Sequence, residues 1–222
     1  MPLQPAIIKS FKAEIFLMNK IDTIVFDLGG VLIDWNPDYV FKKIFSTDEE
    51  MRWFYNNICT ADWNEEQDAG KSLQEATEER VKKFPEHETN IRMYYGRWEE
   101  MLGGPIHETV EVFRHLKHKT DYKLYALTNW SAETFPVALD RYEFLHWFHG
   151  RLVSGEEKTR KPFKDIYELL INRFNIDPTR AVYIDDNARN LFPAKELGFQ
   201  VIHFQSPQQF KKELTEILGE EV

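Results

Sequence analysis

The chain has 222 residues, 42% of them hydrophobic and 14% aromatic, which is enough to bury a real core and too much for a disordered or fibrous protein. A formal net charge of −9 excludes broad nucleic-acid binding, which needs a basic face to displace counterions from phosphates. The single cysteine, Cys59, excludes an intrachain disulfide and points to a reducing, cytoplasmic setting.

In chain order, Met1 to Asn19 carries Lys9, Lys12 and Glu14 among its apolar residues and lacks the small-residue cleavage pattern of an export signal. Residues 1–19 therefore read as an N-terminal extension. No run approaches the roughly 18 to 20 apolar residues of a membrane span, so no membrane partner is expected. Thr23 to Leu28 is a short, β-rich apolar run stopped by Gly29-Gly30, the pattern of a strand buried on both faces of a parallel sheet. From Pro37 to Gly104 no buried strand is predicted. Helical segments rich in Glu, Lys, Arg and aromatics follow one another over a stretch too long for an ordinary crossover. Residues 37–104 are expected to form a helical cap over the carboxyl ends of the strands, where open α/β sheets bind ligands.

Beyond the cap, Lys123 to Leu127, Arg151 to Val153, Ala181 to Ile184 and Gln200 to Phe204 read as further strands. Ile106 to Lys117, Lys164 to Phe174 and Leu191 to Leu197 read as helices, the last ended by Gly198. Strands alternating with helices predict right-handed crossovers and a doubly wound parallel α/β sheet, its core formed by residues 20–36 and 105–222.

Four strand ends and loops carry polar residues suited to phosphate chemistry. Asp27 closes the first strand just before two glycines, where its carboxylate can serve as nucleophile, metal ligand or both, or else simply cap the next element. Asp185-Asp186 follows an apolar strand, and paired carboxylates there call for a hard cation such as Mg²⁺. Thr128-Asn129 offers a hydroxyl, an amide and backbone donors, and Lys161, beside Pro162, offers a cation for anionic oxygens.

Taken in order, these stretches resemble the motifs of the haloacid dehalogenase-like hydrolases, and among them the phosphatases with a helical cap after the first motif. The matching residues are Phe26-Asp27-Leu28-Gly29-Gly30-Val31-Leu32, Leu127-Thr128-Asn129, Arg160-Lys161-Pro162 and Tyr183-Ile184-Asp185-Asp186-Asn187. The resemblance implies a Rossmann-like core, with Asp27 as nucleophile and Thr128, Asn129 and Lys161 holding the transferring group. It also implies Mg²⁺ on Asp27, the Gly29 carbonyl and Asp186, with Asp185 direct or through water, and a small phosphorylated metabolite as substrate.

The family pattern usually has aspartate where this chain has Gly29, and that aspartate protonates the leaving oxygen. Its absence admits a substrate with a good leaving group or an acid from the cap segment Trp63-Asn64-Glu65-Glu66-Gln67-Asp68-Ala69-Gly70. Trp63 is expected to stack on the substrate. Trp98 and Trp130 are either packing or binding residues, and Asp34 either approaches the site or caps a helix. Sugar phosphatases with Asp-Leu-Gly-Asn in the first motif are the nearer comparison. The alternatives are a metal-independent 2-haloacid dehalogenase, which needs no second acid, and a non-catalytic phosphate-binding protein.

Overall fold

The computed structural model describes residues 20–222, so the expected extension over residues 1–19 lies outside the described residues. Strands β1 (Thr23–Phe26), β4 (Lys123–Thr128), β5 (Gly150–Val153), β6 (Ala181–Asp185) and β7 (Gln200–His203) form one sheet in the order β5-β4-β1-β6-β7. Every pairing in it is parallel. β1 lies at the centre, and all four of its residues are buried, as its unbroken apolar run requires.

Alternation along the strand divides the core into two layers. Ile24 and Phe26 share one layer with Val112, Phe113 and Leu116 of α6 (His107–Lys119) and with Phe210 and Leu214 of α11 (Pro207–Leu218). Val25 and Tyr183 face the other layer. There they meet Ile166, Tyr167 and Leu170 of α9 (Lys164–Phe174), together with Leu191 and Ala194 of α10 (Ala188–Glu196). Each such buried side chain contributes about 1.5–3 kcal/mol. The doubly wound parallel α/β sheet predicted from the sequence is the fold observed.

A second, two-stranded sheet was not foreseen. β2 (Ile33–Trp35) pairs antiparallel with β3 (Leu102–Pro105). β3 reads Leu-Gly-Gly-Pro, which has no strand periodicity and owes its conformation to a partner nearly 70 residues away in sequence. Asp34 belongs to this ribbon rather than to the catalytic cleft. Its carboxylate accepts the Tyr39 hydroxyl hydrogen bond and packs where a side chain on Gly103 would stand.

Between the ribbon strands run α1 (Asp38–Phe41), α2 (Asp48–Asn57), α3 (Ala61–Asp68), α4 (Leu73–Lys83) and α5 (Glu88–Gly96). Thr47, Thr60 and Ser72 cap α2, α3 and α4, each accepting a hydrogen bond from the backbone N–H three residues on. The helices close around Phe41, Phe54, Trp63 and Tyr94. Trp63 is therefore a packing residue and not the substrate platform expected of it. It is 2% exposed, its rim lies against Tyr94 and Tyr95, and its indole N–H donates to the Ala76 carbonyl at 3.3 Å. The reason is helical spacing: Trp63 and Gln67, four residues apart, share the inward face of α3, whereas Asn64, Glu65 and Asp68 lie on the face toward the sheet.

Candidate active site

Parallel pairing brings the carboxyl ends of β1, β4 and β6 to one edge of the sheet, and the four polar stretches meet there. Asp27 immediately follows β1. Its backbone N–H donates to Ile184 O at 2.8 Å, and its own Oδ1 accepts from the Leu28 N–H at 2.7 Å. The chain then turns sharply through Gly30. That residue has φ +73°, and a side chain on it would collide with the Asp186 carboxylate, so glycine is required by both conformation and space.

Lys161 is fully buried with its ammonium between two carboxylates, 2.8 Å from Asp27 Oδ2 and 2.6 Å from Asp185 Oδ2. Burial pushes its pKa down, but Asp185 and Asp27 more than reverse that and hold it above the usual lysine range. Asn129 sets the lysine in place. Its carboxamide accepts from the Lys161 N–H at 2.8 Å and donates to the Lys161 carbonyl at 3.0 Å. One N–H of the carboxamide is thus committed to the backbone of the lysine loop, and Asn129 also lines the cleft, where its second N–H has no partner among these bonds. Thr128, the last residue of β4, is buried beside it at the same sheet edge.

Asp185 is saturated with donors. Beyond Lys161, it accepts from the Tyr183 hydroxyl at 2.5 Å, the Asn187 N–H at 2.8 Å and the Asn190 amide at 3.0 and 3.1 Å. Burial pushes its pKa up, but Lys161 and these hydrogen bonds win and hold it below the ordinary aspartate value. Tyr183 and Asn190 escaped the sequence reading. The available signal for Tyr183 was its place two residues before Asp185 on one strand, hence on the same face. Asn187 caps α10 by accepting from the Arg189 N–H, which leaves Asp186 free of any capping role.

Ligand atoms of Asp27, Asp185 and Asp186 all lie within 4.8 Å of one another. Burial, aided by repulsion from Asp185 and Asp186 and opposed by Lys161, pushes the Asp27 carboxyl up to about 8. Asp186 is raised as well, by burial and by Asp185. Three carboxylates facing one ammonium leave uncompensated negative charge, and oxygen donors crowded this way fit a hard divalent cation.

Above this floor stands α3. Glu65 spans the cleft, one oxygen 2.8 Å from the Arg160 guanidinium and the other paired with Arg189. Neither pairing was foreseen, although Arg160 stands in the Arg160-Lys161-Pro162 motif, because nothing local marks the arginines as partners of a glutamate about 95 and 124 residues away. Asn64 turns its Oδ1 to the Tyr95 hydroxyl at 3.0 Å and donates from Nδ2 to Asp68 at 3.2 Å. Beside the cleft a small alcove of about 90 Å³ opens between Trp35, Tyr95, Trp98 and Trp130. Trp98 and Trp130 meet edge to face at 5.8 Å; both are packing residues, and both also line this alcove.

The sequence profile of haloacid dehalogenase-like hydrolases matches residues 21–198. The chain is 22% identical to a D-ribitol-5-phosphate phosphatase of Bacteroides thetaiotaomicron, over 90% of this chain and 99% of the relative. It is also 22% identical to a sesquiterpene phosphatase of Aspergillus oryzae, over 88% of this chain and 95% of the relative. Among solved structures, a haloacid dehalogenase family enzyme of Bacteroides thetaiotaomicron superposes with a TM-score of 0.68 at 21% identity, covering 88% of this chain and 98% of that one. The same enzyme has been solved in complex with magnesium and inorganic phosphate. A profile match over most of the chain, on a parallel sheet whose strand ends carry Asp27, Thr128 and Asp185-Asp186 with Lys161 between them, places this protein in the haloacid dehalogenase-like hydrolase family.

Proposed function

We propose that this hydrolase is a Mg²⁺-dependent phosphomonoesterase that acts on a small phosphorylated metabolite through an aspartyl-phosphate on Asp27. The observation that carries the reading is the placement of Asp27, bridged to Lys161 at 2.8 Å, inside a cluster of three carboxylates with ligand atoms within 4.8 Å. Asp27, the Gly29 carbonyl and Asp186 would hold the ion, and Asp185, whose oxygens already accept from three side chains and a backbone amide, would reach it through water. When bound, Mg²⁺ supplies the positive charge that keeps Asp27 ionised and offsets the charge of the phosphoryl oxygens.

In this reading Asp27 Oδ2 attacks phosphorus in line and the bond to the leaving oxygen breaks, after which water cleaves the acyl phosphate. Lys161, Thr128 and the backbone donors after β4 stabilise charge on the equatorial oxygens. The Asn129 carboxamide contributes by fixing Lys161. The helices of residues 37–104 act as a cap, with α3 over the phosphate and the aromatic alcove over the carbon body. Phosphatase relatives that act on a polyol phosphate and on sesquiterpenes support a phosphorylated alcohol, and tryptophan and tyrosine walls suit the apolar faces of a sugar or an aliphatic chain.

Phosphate release from a panel of sugar, polyol and alkyl phosphates, with Mg²⁺ and with chelator, tests the reading. Turnover that chelator abolishes and Mg²⁺ restores is expected, and Asp27→Asn should lower it by on the order of 10⁴-fold or more. Metal-independent halide release from 2-chloropropionate would instead make the chain a dehalogenase. Binding without turnover would make it a phosphate-binding protein.

A further inference from the structure

We propose that Asp68, on the last turn of α3, is the catalytic acid that protonates the leaving oxygen, in place of the side chain that Gly29 lacks. This rests on the phosphatase reading above. The phosphate cleft and the aromatic alcove share five lining residues: Gly29, Trp35, Asn64, Asp68 and Asn129. A phosphate ester whose phosphorus sits by Asp27 and whose carbon body enters the alcove must pass its bridging oxygen through this ring. Asp68 is the one member with an ionisable side chain.

The other carboxylates nearby are engaged elsewhere. Glu65 gives one oxygen to each of two arginines, Asp185 is saturated by its donors, and Asp186 belongs to the cation cluster. Asp68 by contrast receives a side-chain hydrogen bond from Asn64, and Asn64 is itself oriented by Tyr95. Because Glu65 ties α3 to Arg160 and Arg189, the residue three positions on is held over the cleft.

The surroundings raise the Asp68 carboxyl toward neutrality. Burial pushes its carboxyl up to about 7 and Glu65 adds to the rise, while Arg160 and Lys161 from the lysine loop and the Ser131 amide after β4 oppose it. Tyr94 and Tyr95 of α5 also face it. A general acid works best with a value near the operating pH.

In the first half-reaction Asp27 Oδ2 bonds to phosphorus, the bond from phosphorus to the bridging oxygen breaks, and the Asp68 proton moves to that oxygen, releasing the alcohol. In the second, the Asp68 carboxylate takes a proton from water as its oxygen attacks phosphorus. The bond between Asp27 and phosphorus then breaks, phosphate leaves and both side chains are restored. Gly29 is not excluded from this work by crowding: a Cβ built there meets no atom within 4 Å, so a carboxylate can be reinstalled.

The test compares kcat/KM for p-nitrophenyl phosphate, whose leaving group departs without help, with that for the best alkyl phosphate of the panel. Asp68→Asn should lose about 10²- to 10⁴-fold in kcat/KM on the alkyl phosphate and less than tenfold in kcat/KM on p-nitrophenyl phosphate, because kcat/KM ends with departure of the leaving group and omits the water attack that Asp68 also assists. The melting temperature serves as the folding control. The substitution should also abolish the decline of the alkyl rate above pH 7. Adding Gly29→Asp to Asp68→Asn should restore alkyl hydrolysis at least tenfold. Undiminished alkyl hydrolysis in Asp68→Asn, or an equal loss on both substrates without rescue, overturns the assignment while leaving the phosphatase reading intact. A wild-type protein that releases phosphate from neither substrate removes both.

Discussion

On the floor of the cleft, Asp27, Lys161 and Asp185 are 8%, 0% and 0% exposed, and each is fixed by at least two hydrogen bonds or ion pairs from the backbone or from buried side chains. On its ceiling, Asn64, Glu65 and Asp68 are partly exposed and hold their places through one carboxamide and two core arginines, Arg160 in the lysine loop and Arg189 in α10. The floor is preorganised by the sheet, so its charges need no rearrangement during reaction. The ceiling depends on a few polar bridges that water can replace, which suits a surface that admits substrate and releases product.

The largest effect that would break this contrast lies on the floor. Lys161→Met leaves Asp185 and Asp27 buried without their cation, so urea unfolding in the presence of chelator should show a loss of about 3–5 kcal/mol, with phosphate release abolished. A loss below about 1 kcal/mol would mean that the floor is not held by this lysine.

A smaller effect is expected above. Glu65→Gln removes the charge that joins α3 to Arg160 and Arg189, at a cost of about 1 kcal/mol or less in stability because water reaches these groups. Its main readout should be KM, raised severalfold as the ceiling loosens, with kcat for p-nitrophenyl phosphate nearly unchanged. An equal fall in kcat on every substrate would show that the bridges organise the floor as well.

A third expected effect is a pH dependence. Asp68 moves from 3.8 to about 7 on folding, so between those values the folded chain keeps a proton that the unfolded chain has lost. Its contribution to stability therefore declines as pH rises from about 4 to 7 and is constant above. The melting temperature of Asp68→Asn relative to wild type should rise across that window and level off beyond it. A flat difference would show that the carboxyl does not retain its proton.

The floor was legible because each of its groups closes or follows a strand whose apolar run is local. Thr23 to Leu28 and Ala181 to Ile184 announce buried parallel strands, and parallel strands must bring Asp27 and Asp185 to one edge. Trp63 was misread since its neighbours Asn64, Glu65 and Asp68 do face the cleft, and only the rotation of α3 about its axis separates them. Asn129 has a further role that the sequence did not mark, its carboxamide bridging to the backbone of Lys161 across 32 residues. The Glu65 bridges and the β2–β3 ribbon left no local mark, because both join segments far apart in sequence.

By itself, then, the sequence determined the succession of strands with polar ends along the chain, the family and the missing side chain at Gly29, all of which are written in short apolar periods and the residues that end them. Tertiary structure alone decided which cap residues look down. The face that a helix shows to the sheet depends on packing against Tyr94 and on charge pairs with Arg160 and Arg189, and these distant contacts brought Asp68 to the open place beside Gly29.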